Sequence, residues 1–447
     1  MKILEKIIEY GLYLFVFLLP WQTRLIIREG SLNGYWEYGT ISIYATEILL
    51  WTIFMLAAVW WVIRKFRVKS EKLKVPVEDL NLEANTKYKI LNTKYFILSI
   101  FVVWSLISFL WSDSKILSLY VWHWLAEVAG LFLILRTVKL DVAKLMWAFV
   151  FSAVLQAGLG LWQFLSQSTF SFKWLGMAFH NPAVPGTVVV ETAVRRWLRA
   201  YGALPHPNML AGFLAAAMFF SFRLYQKIGY GVKKIFIPVI FSILSLGLFA
   251  TFSKSVILSF SVVLILSWLL FFIFKQSREF KIDLLKFTLI FLIIAVIFFA
   301  IFWEPVETRI LGTERLEIKS TTERLSYFGE AWQLIKSHPV FGVGLGNYTL
   351  AVHNEINPNL QSWDYQPVHN IYLLGLAELG IIGFILWLVL IFFVIKKLPI
   401  TNYQLPIIFL IIGFFDHYLW TLYFGVMLFW LALGSIQKDL DNPLDRS

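Results

Sequence analysis

HNIYLLGLAELGIIGFILWLVLIFFVIKK, residues 369–397, holds an unbroken apolar run from Ile371 to Ile395 in which Glu378 is the single charged residue. An α-helix rises about 1.5 Å per residue, so about 20 apolar residues match the ~30 Å hydrocarbon layer of a bilayer. The run is long enough to cross, and two lysines, Lys396 and Lys397, close it in the manner of a cytoplasmic boundary. This stretch is read as a transmembrane helix.

The rest of the chain follows the same pattern. Its 447 residues are 59% hydrophobic and 15% charged with a mean hydropathy of +0.71, far from the ~25% charged residues of soluble domains. Apolar segments near 5–20, 41–63, 95–111, 118–135, 143–166, 207–223, 234–252, 255–274, 284–303, 369–395, 403–419 and 421–436 predict an all-α polytopic membrane protein of about twelve spans. The whole of 1–447 reads as one transmembrane domain. Lys2 and Lys6 before the first apolar segment resemble a signal sequence, but no small-x-small cleavage site follows, so the segment is expected to remain as the first span. Trp21, Trp36, Trp51, Trp111, Trp303 and Trp420 fall near predicted span ends, where amphipathic rings suit the headgroup level.

The net charge of +11 would suggest nucleic acid in a soluble chain. Here the cations lie between spans, and about two thirds of the 39 fall on one side if both termini are cytoplasmic. That orientation places the protein in the cytoplasmic membrane, among membrane lipids and with no nucleic-acid partner. With no cysteine there is neither a disulfide framework nor a thiolate metal site. The cytoplasmic segment 64–94 reads as a charged linker loop. Two long loops, 167–206 and 304–368, fall on the outer face, and function is expected there. No internal repeat or inverted symmetry of the kind common in transporters is evident.

Loop 304–368 contains STTERLSYFGEAWQLIKSHP, residues 320–339. Ser320 and Glu323 have capping-box spacing, and Leu325, Phe328, Trp332 and Ile335 recur at helical spacing. A short amphipathic helix on the membrane surface is predicted, with Arg324 in its first turn. HPVFGVGLGNY, residues 338–348, spaces Gly342, Gly344 and Gly346 like a nucleotide-binding loop, yet such a loop needs a βαβ unit that this sequence lacks. Tight backbone turns are the better reading.

HPVFGVGLGNY followed by HNIYLLGLAELGIIG (369–383), with RAYGALPHPNMLAGF (199–213) and FSKSVILSF (252–260) upstream, resembles the O-antigen ligase and polymerase superfamily. The resemblance spans roughly residues 195–435. It implies a membrane bundle of the glycosyltransferase C type and transfer of a glycan from a polyprenyl (undecaprenyl) diphosphate donor to a lipid, glycan or cell-envelope acceptor on the outer face. Such transfer needs cations to stabilise the leaving diphosphate and a base to activate an acceptor hydroxyl. The resemblance assigns the base to His369, whose unperturbed pKa near 6.5 suits proton transfer at neutral pH. It assigns diphosphate contacts to Arg324, Lys254 and Arg199. Lys254 departs from the superfamily's Ser-Arg pair; it keeps the charge and loses the bidentate geometry.

Asp416, His206, Asn370 and His338 are supporting candidates. Asp416, with His417 beside it, sits near a span end, where an acid needs a partner; His206 and Asn370 are also well placed to cap helices. Residues 21–40 offer Glu29 and Glu37 but no Asp-x-Asp-like pair, so neither a metal nor another cofactor is expected, and transfer is expected to invert. Ligase and polymerase remain alternatives, with ligase favoured by the compact His-Asn motif after one dominant loop. A lipid-linked sugar or polysaccharide exporter is a rival of another class, opposed by the concentration of cations at the outer boundary rather than mid-membrane.

Overall fold

A computed structural model describes residues 1–72, 82–229, 231–274, 276–396, 398 and 402–440. The chain runs through α1 (Lys2–Leu18), β1 (Arg24–Arg28), β2 (Ile41–Tyr44), α2 (Ala45–Lys72), α3 (Leu82–Ile107), α4 (Lys115–Thr137) and α5 (Val142–Ser166). It continues through β3 (Val189–Glu191), β4 (Arg196–Leu198), α6 (Pro207–Lys227), α7 (Val232–Ala250), α8 (Lys254–Ile273) and α9 (Arg278–Ile301). The last third comprises α10 (Trp303–Leu311), α11 (Arg315–Ser337), α12 (Tyr348–Ala351), α13 (Ile371–Ile395), α14 (Gln404–Gly413), α15 (Tyr418–Thr421) and α16 (Tyr423–Leu440).

Seven of these helices, α2, α4, α5, α6, α8, α9 and α13, are long and apolar enough to cross a membrane. Shorter apolar helices occupy Tyr95–Leu110, Lys234–Ala250, Gln404–Gly413 and Tyr423–Ile436. The protein is therefore an all-α multi-pass membrane protein, the strands among its described residues forming two small antiparallel hairpins, β1–β2 and β3–β4. Helices α2 and α3 both extend into the segment read as a linker loop, leaving only residues 73–81 of it outside the described chain.

At the centre lies α6, which carries Ala211, Gly212 and Ala215–Ala217 and is 89% buried over its apolar window. Small side chains let neighbouring backbones come close. Gly247 of α7 meets Ala157 of α5, and Gly212 of α6 meets the Tyr418 ring of α15. Helices α8 and α9 are the opposite case, with windows only 28% and 22% buried. Their outward residues, among them Ile265, Phe272, Val296 and Ile301, form the kind of continuous apolar face that lipid covers.

Helix α13 is broken in its middle. Gly380 has φ +64°, which frees the Ala377 and Glu378 carbonyls from the helical ladder. Loop 338–347 supplies the missing partners: Val343 N–H donates to Ala377 O (2.9 Å), Gly344 N–H to Glu378 O (2.9 Å), and Ile381 N–H to Pro339 O (3.0 Å). Non-helical backbone at span depth is tolerated only when its polar groups are satisfied in this way. A Cβ on Gly380 would lie 2.1 Å from Val340 O, and one on Gly342 2.4 Å from Glu378 O, so both glycines are required by close approach. The glycine motif is thus a set of tight turns docked on α13, as its sequence suggests.

Three local readings change. Helix α11 begins at Arg315, so Ser320 and Glu323 lie inside it rather than at its cap, and Arg324 falls in its third turn; the polar stretch 315–319 sustains a helix that hydropathy does not mark. The predicted eleventh span is broken between Gly413 and Tyr418, where Asp416 and His417 take non-lipid partners. Trp36 and Trp420 are core residues, 5% and 9% exposed, and Trp420 donates to Glu378 Oε2 (2.8 Å) instead of facing headgroups.

Candidate functional site

The two long loops and the β1–β2 connection fold over the same end of the bundle. Thr23 Oγ1 donates to Trp174 O (2.7 Å), Arg315 Nη2 to Glu191 Oε1 (2.9 Å), and Tyr38 OH to Gln366 Oε1 (2.8 Å). Beneath them, segments far apart in sequence converge.

Arg199 follows β4 and is buried. Its Nε donates to Thr251 O (2.6 Å) and its Nη2 to Asn208 Oδ1 (2.8 Å). Asn208, in the first turn of α6, passes the contact on by donating from Nδ2 to Asp416 Oδ2 (2.7 Å). Asp416 Oδ1 accepts from the His417 amide (2.9 Å). This chain places a guanidinium and a carboxylate at opposite ends of one amide without direct contact. Burial and the nearby Arg309 push Arg199 down to about 9, so it remains charged at neutral pH.

His369 enters from the loop side immediately before α13. Its ring stacks parallel on Tyr327 of α11, centroids 5.8 Å apart, and meets His417 edge-on at 4.9 Å. His417 Nδ1 pairs with Thr421 Oγ1 (2.7 Å), and Tyr38 lies edge-on to its other side at 5.8 Å. The His369 Nδ1 is shielded and makes no hydrogen bond. Burial lowers the His369 pKa below its ordinary value, with Asp416 opposing and Arg324 assisting that shift. The ring is therefore neutral at pH 7, the state a general base requires. His206 caps α6, its Nδ1 accepting from Asn208 N–H (3.1 Å), and burial followed by the Arg199 charge drives it down to about 3. It stays neutral throughout the physiological range.

The cations divide into paired and unpaired. Lys254 opens α8 and donates to Glu317 Oε2 (2.8 Å); Arg309 of α10 bonds the other oxygen of the same carboxylate. Burial pushes Glu317 up, and Arg309 and Lys254 overcome it to hold the carboxyl below its usual range. Arg309 also donates to Phe252 O (3.0 Å). The Thr251–Phe252 turn, where Phe252 has φ +48°, is thus clasped by two guanidiniums, Arg199 and Arg309. Arg324 is half-buried and, unlike Lys254, forms neither an ion pair nor a hydrogen bond among the described residues, while its charge reaches Arg199, His206 and His369.

The structure brings together His369, Arg324, Arg199, His206 and Asp416, with Lys254 one ion pair away through Glu317. It separates two others. His338 pairs with Glu355 (2.9 Å) in a cleft of about 780 Å³ beside Trp111 and Phe341 that shares no residue with this cluster. Asn370 caps α13, accepting from Tyr372 and Leu373 N–H at 2.9 and 3.0 Å. Arg309, Glu317, Tyr327, Tyr38 and Asn208 were not singled out from sequence. Asn208 lay within a quoted motif and Tyr327 on the predicted amphipathic helix; the others join the site only through long-range loop docking.

Tyr38 and His206 are shared with a cavity of about 370 Å³ that opens beside the cluster. Its wall carries the stacked His180–Tyr201 pair (4.3 Å) and Arg24, which grips Glu37 with both guanidinium arms. Aromatic faces line it, and the amides of Gln22 and Gln163 on its wall are bonded to the backbone of Leu19, Tyr201 and Gly202.

The O-antigen ligase family model matches residues 239–388, which include Lys254, Arg324, His338 and His369. A domain of this kind is therefore present over part of a multi-pass membrane protein, and a membrane enzyme handling glycans in the general manner of O-antigen ligases and polymerases is supported. No curated protein matches the chain.

Proposed function

We propose that the protein transfers a glycan from a polyprenyl diphosphate donor to a lipid or cell-envelope acceptor at the outer face of the cytoplasmic membrane, with both termini cytoplasmic and about twelve spans. The observation that carries this reading is the convergence of a neutral, half-buried His369 with the Arg199–Asn208–Asp416 chain and with Arg324, which has no ion-pair partner among the described residues. In the proposed step an acceptor hydroxyl loses its proton to the His369 imidazole. The acceptor oxygen then bonds the anomeric carbon as the anomeric carbon–phosphate oxygen bond breaks, inverting the centre. The electron pair leaves with the polyprenyl diphosphate, whose charge Arg324 and Arg199 stabilise, with Arg309 and Lys254 behind them. No metal is needed in this step, since fixed cations supply the electrostatic stabilisation.

The cavity beside Tyr38 and His206 suits the acceptor sugar, because its guanidinium is already neutralised by Glu37 and its aromatic faces offer stacking surfaces. A polymerase would run the same step with another lipid-linked unit as acceptor. The test is glycan transfer in proteoliposomes by wild type, His369→Ala and Arg324→Ala at equal amounts of folded protein. Loss of transfer in both variants, with the lipid-linked donor still bound by His369→Ala, is expected. Undiminished transfer by His369→Ala would remove this residue from the chemistry. Donor passage across the bilayer without any transfer would favour an exporter.

A further inference from the structure

We propose that Glu47 of α2 with His123 and Glu127 of α4 form a binding site for a divalent cation of the zinc or manganese class. One oxygen of each carboxylate and one imidazole nitrogen lie within 4.8 Å of one another. Glu127 is 0% exposed, and among the described residues neither of its oxygens completes a hydrogen bond, with the Trp51 side chain in weaker reach. Among the described residues no lysine or arginine forms an ion pair with Glu47 or Glu127; Arg24, the cation on the adjoining cavity wall, is committed to Glu37. Two carboxylates embedded in a lipid-facing bundle with no lysine or arginine paired to them need protons or a metal ion to stay there.

The histidine shows what is missing. His123 Nδ1 lies against the Tyr120 carbonyl oxygen, which can only accept, so Nδ1 carries the proton and donates it. In the neutral ring Nε2 then presents a lone pair, and it faces Glu47 Oε1 at 2.6 Å. Two acceptors at that distance need something positive between them. A backbone carbonyl holding the remote N–H is also the arrangement that orients metal-ligating histidines. Glu47 is itself oriented, its Oε2 accepting from Tyr44 N–H (3.2 Å). Thr46 Oγ1 and the Tyr423 hydroxyl, both buried and close to one another, offer further oxygens, and Tyr423 lies within electrostatic reach of both carboxylates.

Charge and ligand type set the class of ion. Two carboxylates and a neutral imidazole leave two negative charges, which one divalent cation balances. One nitrogen among oxygens suits zinc or manganese better than magnesium or calcium, which favour all-oxygen shells. Neighbouring ligands around an ion at ~2.1 Å stand about 3 Å apart or more, so entry of the ion opens the Glu47–His123 contact slightly. The His123 side chain is 24% exposed, which gives the ion a path in. The site shares no residue with the His369 cluster and has no part in the transfer step. It ties α2 to α4 behind Tyr44, whose ring lines the cavity and stacks on Tyr423 at 4.8 Å.

Two protons, one making His123 an imidazolium and one neutralising Glu127, are the rival to one ion, and the two can be told apart. Full-length, tag-free protein is grown with added zinc and manganese chlorides, desalted and assayed for bound metal, and its thermal unfolding is followed with each salt and with chelator. About one ion per chain is expected in wild type, with E127Q and H123Q near background and the unfolding temperature lowered by chelator in wild type alone. In the manganese form, electron-nuclear resonance should detect one coordinated imidazole nitrogen, a reading that needs no variant. Background metal in wild type with no thermal response to either salt would overturn the site in favour of protons. Equal metal in wild type and a folded E127Q, or manganese without nitrogen coupling, would overturn it in favour of adventitious surface binding.

Discussion

The N-terminal end of α13 and its broken middle meet the two most conspicuous motifs of the chain, and the two contacts are built in opposite ways. At the glycine-rich loop 338–348 the key polar groups are spent inside the protein. Val343, Gly344 and Ile381 amides pair with the opposing backbone, and Asn347, fully buried, accepts from Ser114 N–H (2.7 Å) and donates to Ser118 Oγ (2.8 Å). At the His369 end, among the described residues, Arg324 has no partner and the His369 Nδ1 makes no hydrogen bond. A satisfied network fixes a fold, whereas buried groups left short of partners are those an incoming ligand completes. The glycines catch the eye in sequence, yet it is the arginine on a polar helix that is free to act.

Substitutions at the two motifs should therefore fail differently. The largest effect expected is a fall of about 10³-fold in transfer for His369→Ala with unfolding temperature near wild type, measured in proteoliposomes. Arg324→Ala should lose roughly 10²-fold, with Arg324→Lys recovering part of it because the charge returns without the planar fork. At the mid-helix break, Gly380→Ala must place a side chain against Val340 O in a left-handed conformation, and about 3 kcal/mol of stability should go, read by denaturant or thermal unfolding. Asn347→Ala should cost about 2 kcal/mol by orphaning the Ser114 amide, while activity per folded molecule holds.

The pH profile sharpens the same contrast. The lowered pKa of His369 keeps its base form populated below the ordinary histidine value, so the acid limb of kcat/KM should fall below pH 6.5. Glu317, whose folded pKa is depressed, stabilises the protein above its unfolded pKa near 4.5. That contribution disappears as pH drops through the lower folded value, and Glu317→Gln should flatten this acid dependence of unfolding.

Much of this architecture is legible in the sequence. Continuous hydropathy marks each apolar helix because lipid demands it, and the His-Asn and His-Pro-Asn segments point to the right end of α13 and α6. The break at Asp416 and His417 is hidden because Phe414, Phe415, Tyr418 and Leu419 keep the window apolar across it. Arg309 and Glu317 look like ordinary loop charges until α10 and α11 bring them onto the Thr251–Phe252 turn. The start of α11 is missed because its first turns bury little and carry charge instead of apolar periodicity. Trp420 reads as interfacial from its neighbours, while its partner, Glu378, lies 42 positions away.

The account rests on the difference between a spent motif and a poised one, and one paired measurement reaches it directly: glycan transfer per folded molecule for Arg324→Ala and Asn347→Ala in the same proteoliposome preparation. The account predicts that Arg324→Ala falls about 10²-fold while Asn347→Ala stays within about twofold of wild type. Equal losses in the two variants, or a larger loss in Asn347→Ala, would contradict it and move the chemistry toward the glycine-rich loop.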